Sequence, residues 1–359
     1  MEDKRMTIAI TGASGFIGAR LVALLRSREQ ETHVRELSRR DLSGSPPPDS
    51  YRSVIHCAFD FNAMQANLPL ATAVARLCVA NQARMVHIST AAVHEPFPDG
   101  ILRESDDPGI GGSRYKQVKL AIENELTRHV REFGLDLVIL RPTIVYGPQG
   151  RAWTDTPVRE LLTGNVELPD DGLGLCNAVY IDDVCQAAIA ALSAPASSGE
   201  HFLISGPAPV AWREFYAAYQ VILGVGIIQS MTSAGQTQIT DDEPSRSRIK
   251  KIVARILGVN RMTRVTVAAR ILKSLVLGFG THTPAGAKLA LFRSRCEIDI
   301  GKARTLLGYN PQFDLRSGMA MTAPYIARTY GNMARLRASR MTPRPAVTPA
   351  GAIPPRPFR

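Results

Sequence analysis

The chain of 359 residues is expected to fold as α/β: a doubly wound parallel sheet followed by a smaller, mostly helical second domain. Three observations predict this. The first is a glycine-rich turn set between a strand-like run and a helical run, in "MTIAITGASGFIGARLVALLRSR". The second is the alternation, from there to Gly147, of short apolar runs with longer segments at helical spacing. The third is the loosening of that alternation beyond Gly147. Strands that alternate with helices need crossover connections, and crossovers make neighbouring strands parallel and cover both faces of the sheet.

"MTIAIT" (6–11) reads as a buried strand, and the apolar residues after Phe16 recur at helical spacing. "HVRELSR" (33–39) is a second strand, "GSPPPDS" (44–50) a loop and "SVIHCAF" (53–59) a third strand. About fifteen residues separate Arg39 from Ser53. A whole helix-and-strand unit takes roughly thirty, so a strand is expected to be reduced or missing there. "NLPLATAVARLCVANQ" (67–82) reads as a helix and "RMVHIST" (84–90) as a strand. "SRYKQVKLAIENELTRHVREFG" (113–134) is a long helix, with Gly134 suited to the residue just past its end. "LDLVILRP" (135–142) is the next strand. Residues 1–150 therefore form the first domain, completed by a strand, helix and strand at about 177–205. Residues 151–176 and 206–330 form the second, with a helix over 211–223 and a polar loop over 233–247. The Pro/Arg-rich tail, 331–359, has too few apolar groups to offset its ordering entropy and is expected to be disordered.

The 45% hydrophobic and 21% charged content is that of an ordinary globular protein. No run of some 18 apolar residues predicts a membrane span, and the first residues lack the pattern of a signal peptide. Five scattered cysteines without a CxxC read as reduced thiols, which places the protein in the cytoplasm. The net charge of +11 is unevenly distributed: 245–295 holds twelve Lys/Arg and 331–359 holds six, neither with an acid, so the rest carries 11 − 18 = −7. A basic chain of this kind predicts a basic insertion and a basic tail, not a nucleic-acid partner. Within the insertion, "IKKIVARIL" (249–257) and "VTVAARILKSLVL" (265–277) are amphipathic. Their apolar faces are expected to cover the second domain, with peripheral contact to an anionic membrane, or a phosphate-bearing substrate, as the alternatives. The histidines (33, 56, 87, 94, 129, 201, 282) show no ligand spacing, and no metal is expected.

"TGASGFIG" places Gly12, Gly15 and Gly18 between strand and helix. The first permits a tight turn, the second lets backbone approach a pyrophosphate, and the third allows the helix to pack closely. With Ser14, Phe16 and Ile17 they are expected to hold a dinucleotide at the helix N-terminus. At the end of the second strand a carboxylate would select NAD and an arginine NADP. Arg39 and Arg40 stand there, so NADP is favoured, with NAD as the alternative. The shortened unit predicts a more open adenine side. Ser89 and Thr90 close the strand 84–90, where hydroxyls can meet a ligand. Tyr115 and Lys119 are one helical turn apart on the next long helix. Hydride exchange between a nicotinamide and an alcohol or carbonyl needs a proton moved at the oxygen. A phenol is a weak base at neutral pH, and a nearby ammonium lowers its pKa. Lys116, in the same motif, reads as solvated.

Together, "TGASGFIG", "VIHCA", "ISTAAV", "YKQVK", "LRPTIVYGP", "VYIDDV" and "KARTLLGYNP" resemble, in order, an extended short-chain dehydrogenase/reductase of the NAD-dependent epimerase/dehydratase type, over about 6–330. The resemblance implies a Rossmann-type sheet and a catalytic set of Thr90, Tyr115 and Lys119. It also implies that Cys57 and Ala58 line the cofactor groove and that Pro142 and Thr143 lie by the nicotinamide. Asp182 and Asp183 would fix the junction with the substrate domain, unless they only serve the N-terminus of their helix, and dimers would form through the helix of Tyr115. Ala91 and Ala92 stand where dehydratases of this kind carry Asp-Glu, which disfavours dehydration. Arg293 and Arg295 precede "EIDIGKARTLLG" without the Gly-Asp of sugar-nucleotide epimerases. The expected activity is nucleotide-sugar epimerisation or reduction. Reduction of an apolar or lipid carbonyl, as by 3β-hydroxysteroid dehydrogenases or flavanone-type reductases, is the alternative, and non-catalytic NADP sensing a second one.

Overall fold

The structure, a computed structural model, describes residues 6–27, 32–42, 51–231, 280–282 and 284–341. The amphipathic stretches 249–257 and 265–277 lie outside the described residues.

The expected alternation builds one six-stranded parallel sheet. Its strands are β1 (Met6–Thr11), β2 (Thr32–Leu37), β3 (Ser53–His56), β4 (Arg84–Ile88), β6 (Leu137–Pro142) and β11 (His201–Ile204). The short strand Gly100–Leu102 is β5, and β7 (Ile144–Tyr146), β8 (Gly164–Leu168), β9 (Leu175–Cys176) and β10 (Ala178–Tyr180) lie outside this sheet. The order is β11-β6-β4-β3-β1-β2, every pairing parallel. The chain goes from β1 to β2 on one side, then to β3 on the other. The switch point therefore falls at β1 and β3, and ligands of such sheets bind at the carboxyl ends there. β2 is the sheet edge, so among the described residues the strand expected to be reduced or missing is missing.

Successive strand residues face opposite sides, and the two cores follow from that. Ile8, Ile10, Ile55, Val86, Val138 and Leu140 join one cluster with α1 (Phe16–Ser27) and α5 (Ile181–Ala191). Ala9, Val54, Met85, Leu137 and Ile139 join the other with α2 (Asn67–Asn81) and α3 (Arg114–Phe133). Gly134 ends α3 with φ of 68°, the left-handed conformation that its lack of Cβ permits. The ends of the fold are cross-tied by acids that the sequence placed at a junction. Asp182 receives Arg20 in a two-pronged ion pair at 2.6 and 2.7 Å, joining α5 to α1. Asp183 accepts the backbone N–H groups of Gln312 and Phe313 at 2.8 and 3.1 Å, holding the C-terminal segment.

Beyond β7 the helices α4 (Thr156–Thr163) and α6 (Trp212–Leu223) pack with a small parallel sheet, in which β8 lies between Ile227–Ser230 and Gly280–His282. The expected helical character is thus mixed with strands. Of the tail 331–359, expected to be disordered, residues 331–341 continue the helix Leu315–Met341, and 342–359 lie outside the described residues. Tyr330, Ala334 and Arg337 recur at i, i+4 and i+7 and are buried. Arg337 reaches the Gly164 carbonyl at 3.2 Å. Three spaced contacts order a segment whose overall composition argues for disorder.

Candidate active site

The sequence motifs converge at the carboxyl end of the sheet. Gly12 follows β1, Cys57 and Ala58 follow β3, Ser89 and Thr90 follow β4, and Pro142 and Thr143 close β6. Gly12 has φ of 70°, and a Cβ there would stand 2.7 Å from Ala58 Cα and N. At Gly18 a Cβ would lie 2.1 Å from the Gly12 carbonyl oxygen, so the helix reaches the turn only because residue 18 is glycine. Gly15 differs: it is exposed, and a Cβ there would approach one atom only, the Gly12 oxygen at 3.1 Å. The turn is packed below and open above, which fits a pyrophosphate at the α1 N-terminus. Ser14 is exposed there, and Phe16 and Ile17 are half-buried.

Ser113 caps α3, its hydroxyl accepting the Lys116 N–H at 3.2 Å. That start directs Tyr115 and Lys119 toward the end of β4. Lys119 is 4% exposed and donates to the Ile88 carbonyl at 2.8 Å. Burial brings its ammonium down to about 8, against the opposing pull of Glu123 and Cys57. Tyr115 is pushed up to about 12 by burial, with its hydrogen bond to Thr90 pulling the other way. The expected lowering of the phenol by Lys119 does not emerge: burial and the Glu95 carboxylate raise it, and Thr90 is the group that opposes them. Thr90 is buried, and its oxygen also accepts the Ala92 N–H at 3.2 Å. Ala91 and Ala92, in the turn after Thr90, supply no acid or base.

Two phenyl rings roof this pair. Phe59 stands edge-on to Tyr115, centroids 5.2 Å apart, and the Lys119 ammonium lies 4.6 Å from the Phe59 centroid. Phe61 stacks on Tyr115 at 5.6 Å and 20°, yet is 66% exposed. Neither was singled out from sequence. The only signal was two aromatics, at i and i+2, directly after the groove residues "HCA".

The remaining candidates divide. Cys57 is half-buried, and burial pushes its thiol to about 12, so it offers no reactive thiolate. The Ser89 hydroxyl is buried without a hydrogen-bond partner. Thr143 turns to β11, donating from its backbone N–H and hydroxyl to the Ile204 carbonyl at 3.0 and 3.3 Å. Arg39 and Arg40 are exposed beyond β2, as expected, but Arg39 is already paired with Asp60 at 2.7 Å. Arg293 faces Asp170 at 3.5 Å and Arg295 donates to the Leu173 carbonyl at 3.1 Å, so both brace the 170–173 turn. Among the described residues no cluster of His, Cys, Asp and Glu could hold a metal ion, and no helix is long and apolar enough to cross a membrane.

Two groups support the site from behind. Glu123, one turn past Lys119, takes Arg141 of β6 through two bonds of 2.6 and 3.2 Å, with His94 3.0 Å from the same guanidinium. All three are buried, and this ion pair clamps α3 to the sheet. Lys116 corrects the reading of a solvated side chain: it is 1% exposed and donates to the Glu95 and Gly109 carbonyls. Those carbonyls anchor the 95–112 loop beside Thr90. Lys116→Met should leave two half-buried carbonyls without their donor, at up to roughly 1–3 kcal/mol in total. A denaturant midpoint within error of the wild type would contradict this anchoring role.

Residues 8–205, more than half of the chain, match the model of the NAD dependent epimerase/dehydratase family, and the chain belongs to that family of extended short-chain dehydrogenases/reductases. It is thus a nicotinamide-dependent epimerase or oxidoreductase. A 3-diazoavenalumate denitrifying reductase of a Streptomyces species is 27% identical over 258 residues, with 59% of this chain and 81% of that protein covered. The fold is shared with UDP-glucuronic acid 4-epimerase from Bacillus cereus, solved with UDP-glucuronic acid and NAD (TM-score 0.65, 20% identity, 90% of this chain and 100% of that one). It is also shared with dTDP-glucose 4,6-dehydratase from Streptomyces venezuelae (TM-score 0.64, 19% identity, 92% and 100% covered).

Proposed function

We propose that the chain is a reductase-type hydride-transfer enzyme in which Thr90, Tyr115 and Lys119 manage the proton at the substrate oxygen. The observation that carries this reading is their meeting at the end of β4: Thr90 follows that strand, Lys119 donates to the carbonyl two residues before it at 2.8 Å, and Tyr115 and the Lys119 ammonium share the Phe59 ring at 5.2 and 4.6 Å. A bound nicotinamide would supply or accept the hydride. Gly12, Ser14, Gly15, Phe16, Ile17 and Gly18 would hold its pyrophosphate, with Cys57 and Ala58 along the groove. Arg39 and Arg40 support a 2′-phosphate, hence NADP, and Asp60 weighs against it. Tyr115, neutral well above pH 7, donates its phenolic proton to a carbonyl oxygen. The Lys119 ammonium stabilises the phenolate left behind, and the Thr90 hydroxyl orients the substrate oxygen.

The aromatic roof supports a planar or apolar carbonyl substrate, because an exposed phenyl beside the acid favours ring stacking over sugar hydroxyls. Bracing of Arg293 and Arg295 by the 170–173 turn points the same way. Nucleotide-sugar epimerisation is the second reading, supported by the ligand of the Bacillus cereus enzyme. The two separate in one assay. Planar unsaturated aldehydes and ketones are offered with NADH or NADPH, and UDP-glucose and UDP-glucuronic acid with NAD. Oxidation of reduced cofactor by the planar carbonyls is expected. Epimer formation without it would replace the first reading by the second.

A further inference from the structure

We propose that Asp60 decides whether the chain accepts a 2′-hydroxyl or a 2′-phosphate on its cofactor, by holding Arg39 as an ion-pair partner. This rests on the nicotinamide reading of the site. Arg39 follows β2 and Asp60 follows β3, and these strands flank β1 on opposite sides. The 2.7 Å pair therefore crosses the carboxyl end of β1, above the glycine turn. The adenosine half of a dinucleotide must lie between these two loops if its pyrophosphate lies on the turn.

The partners are not equally movable. Asp60 is fixed through its other oxygen, which accepts the N–H groups of Asn62 and Ala63 at 2.9 and 3.1 Å. Its backbone is clasped by the Asn67 side chain, which accepts the Asp60 N–H at 2.7 Å and donates to its carbonyl at 3.0 Å. The Arg39 side chain is 60% exposed and only its far end is engaged. A 2′-phosphate would have to draw Arg39 off a carboxylate that cannot retreat, and would then face that carboxylate as a second negative charge. A 2′-hydroxyl meets neither cost, and Asp60 can accept its proton in a hydrogen bond. Asp41, whose carboxylate accepts the Ser38 N–H and hydroxyl at 2.7 and 2.6 Å and is held ionised by them, is a second acid beside the arginines and weakens their positive field further. The arginine pair that reads as an NADP signature is thus countered by an acid 21 residues further on.

The test is calorimetric titration of NAD and NADP into the wild type, Asp60→Asn, and Asp60→Asn with Arg39→Ala. Asparagine keeps an oxygen for the Asn62 and Ala63 N–H groups, so the loop survives while the charge goes. Wild type is expected to bind NAD at least as tightly as NADP. Asp60→Asn should shift the ratio of dissociation constants toward NADP by about tenfold or more, about 1.4 kcal/mol, and Arg39→Ala should cancel the gain. Binding of both cofactors with the wild-type ratio preserved in Asp60→Asn overturns the assignment of Asp60. Failure of either cofactor to bind any of the three proteins overturns the nicotinamide reading itself.

Discussion

Tyr115→Phe is expected to lower kcat by about 10²–10⁴-fold, the usual worth of a positioned general acid, while cofactor binding stays within a few fold of the wild type. The substitution removes one oxygen and keeps the ring. The stacking on Phe61 and the edge contact with Phe59 therefore survive, and with them the roof over the site. Thr90 loses one partner but still accepts the Ala92 N–H. The lesion is thus confined to the proton. Steady-state kinetics paired with cofactor titration on one preparation separates the two effects. Undiminished turnover would remove Tyr115 from the mechanism, and lost cofactor binding would assign it a role in the groove instead.

Lys119→Met should abolish most activity without a matching loss of stability. The ammonium falls from its ordinary 10.5 to about 8 on burial. At about 1.4 kcal/mol per tenfold change in proton affinity, this costs the folded state about 3 kcal/mol while the group is charged. Methionine removes that cost but leaves the Ile88 carbonyl without its donor, at roughly 1–3 kcal/mol. The two effects nearly cancel at pH 7. The folded pKa lies below the unfolded one, so the folded chain binds fewer protons between about pH 8 and 10.5, and wild-type stability rises with pH across that window. The variant has no such gain, so it should lose ground to the wild type as pH increases. Urea melts at pH 7 and pH 10 measure the difference. A variant that loses ground equally at both would show that burial of the charge is not what displaces Lys119.

The sheet and the turn were legible because each rests on local pattern. Gly12 and Gly18 sit where a Cβ would strike backbone, and alternation along β1, β3, β4 and β6 sorts residues to two cores. That β2 is the sheet edge among the described residues could be read from the short interval between Arg39 and Ser53. What escaped depends on contacts between distant segments. Lys116 is buried because two carbonyls of the 95–112 loop converge on it, and nothing in "YKQVK" signals that. Glu123, Arg141 and His94 come from three segments and meet only once α3 lies on the sheet. The helix to Met341 is ordered by three residues in a polar stretch. Arg39 lies just past β2, which ends at Leu37, and its partner Asp60 comes from the far side of β1, which no local reading supplies.

Tyr115 and Lys119 are expected to act as one proton-handling pair. The pH dependence of kcat/KM for carbonyl reduction addresses it directly, since that ratio reports ionisations of the free enzyme. The wild type should hold level below about pH 8 and then fall as Lys119 loses its proton, and Lys119→Met should lack that break. A wild-type profile that stays level to pH 10, or a break that persists in Lys119→Met, would contradict the pairing.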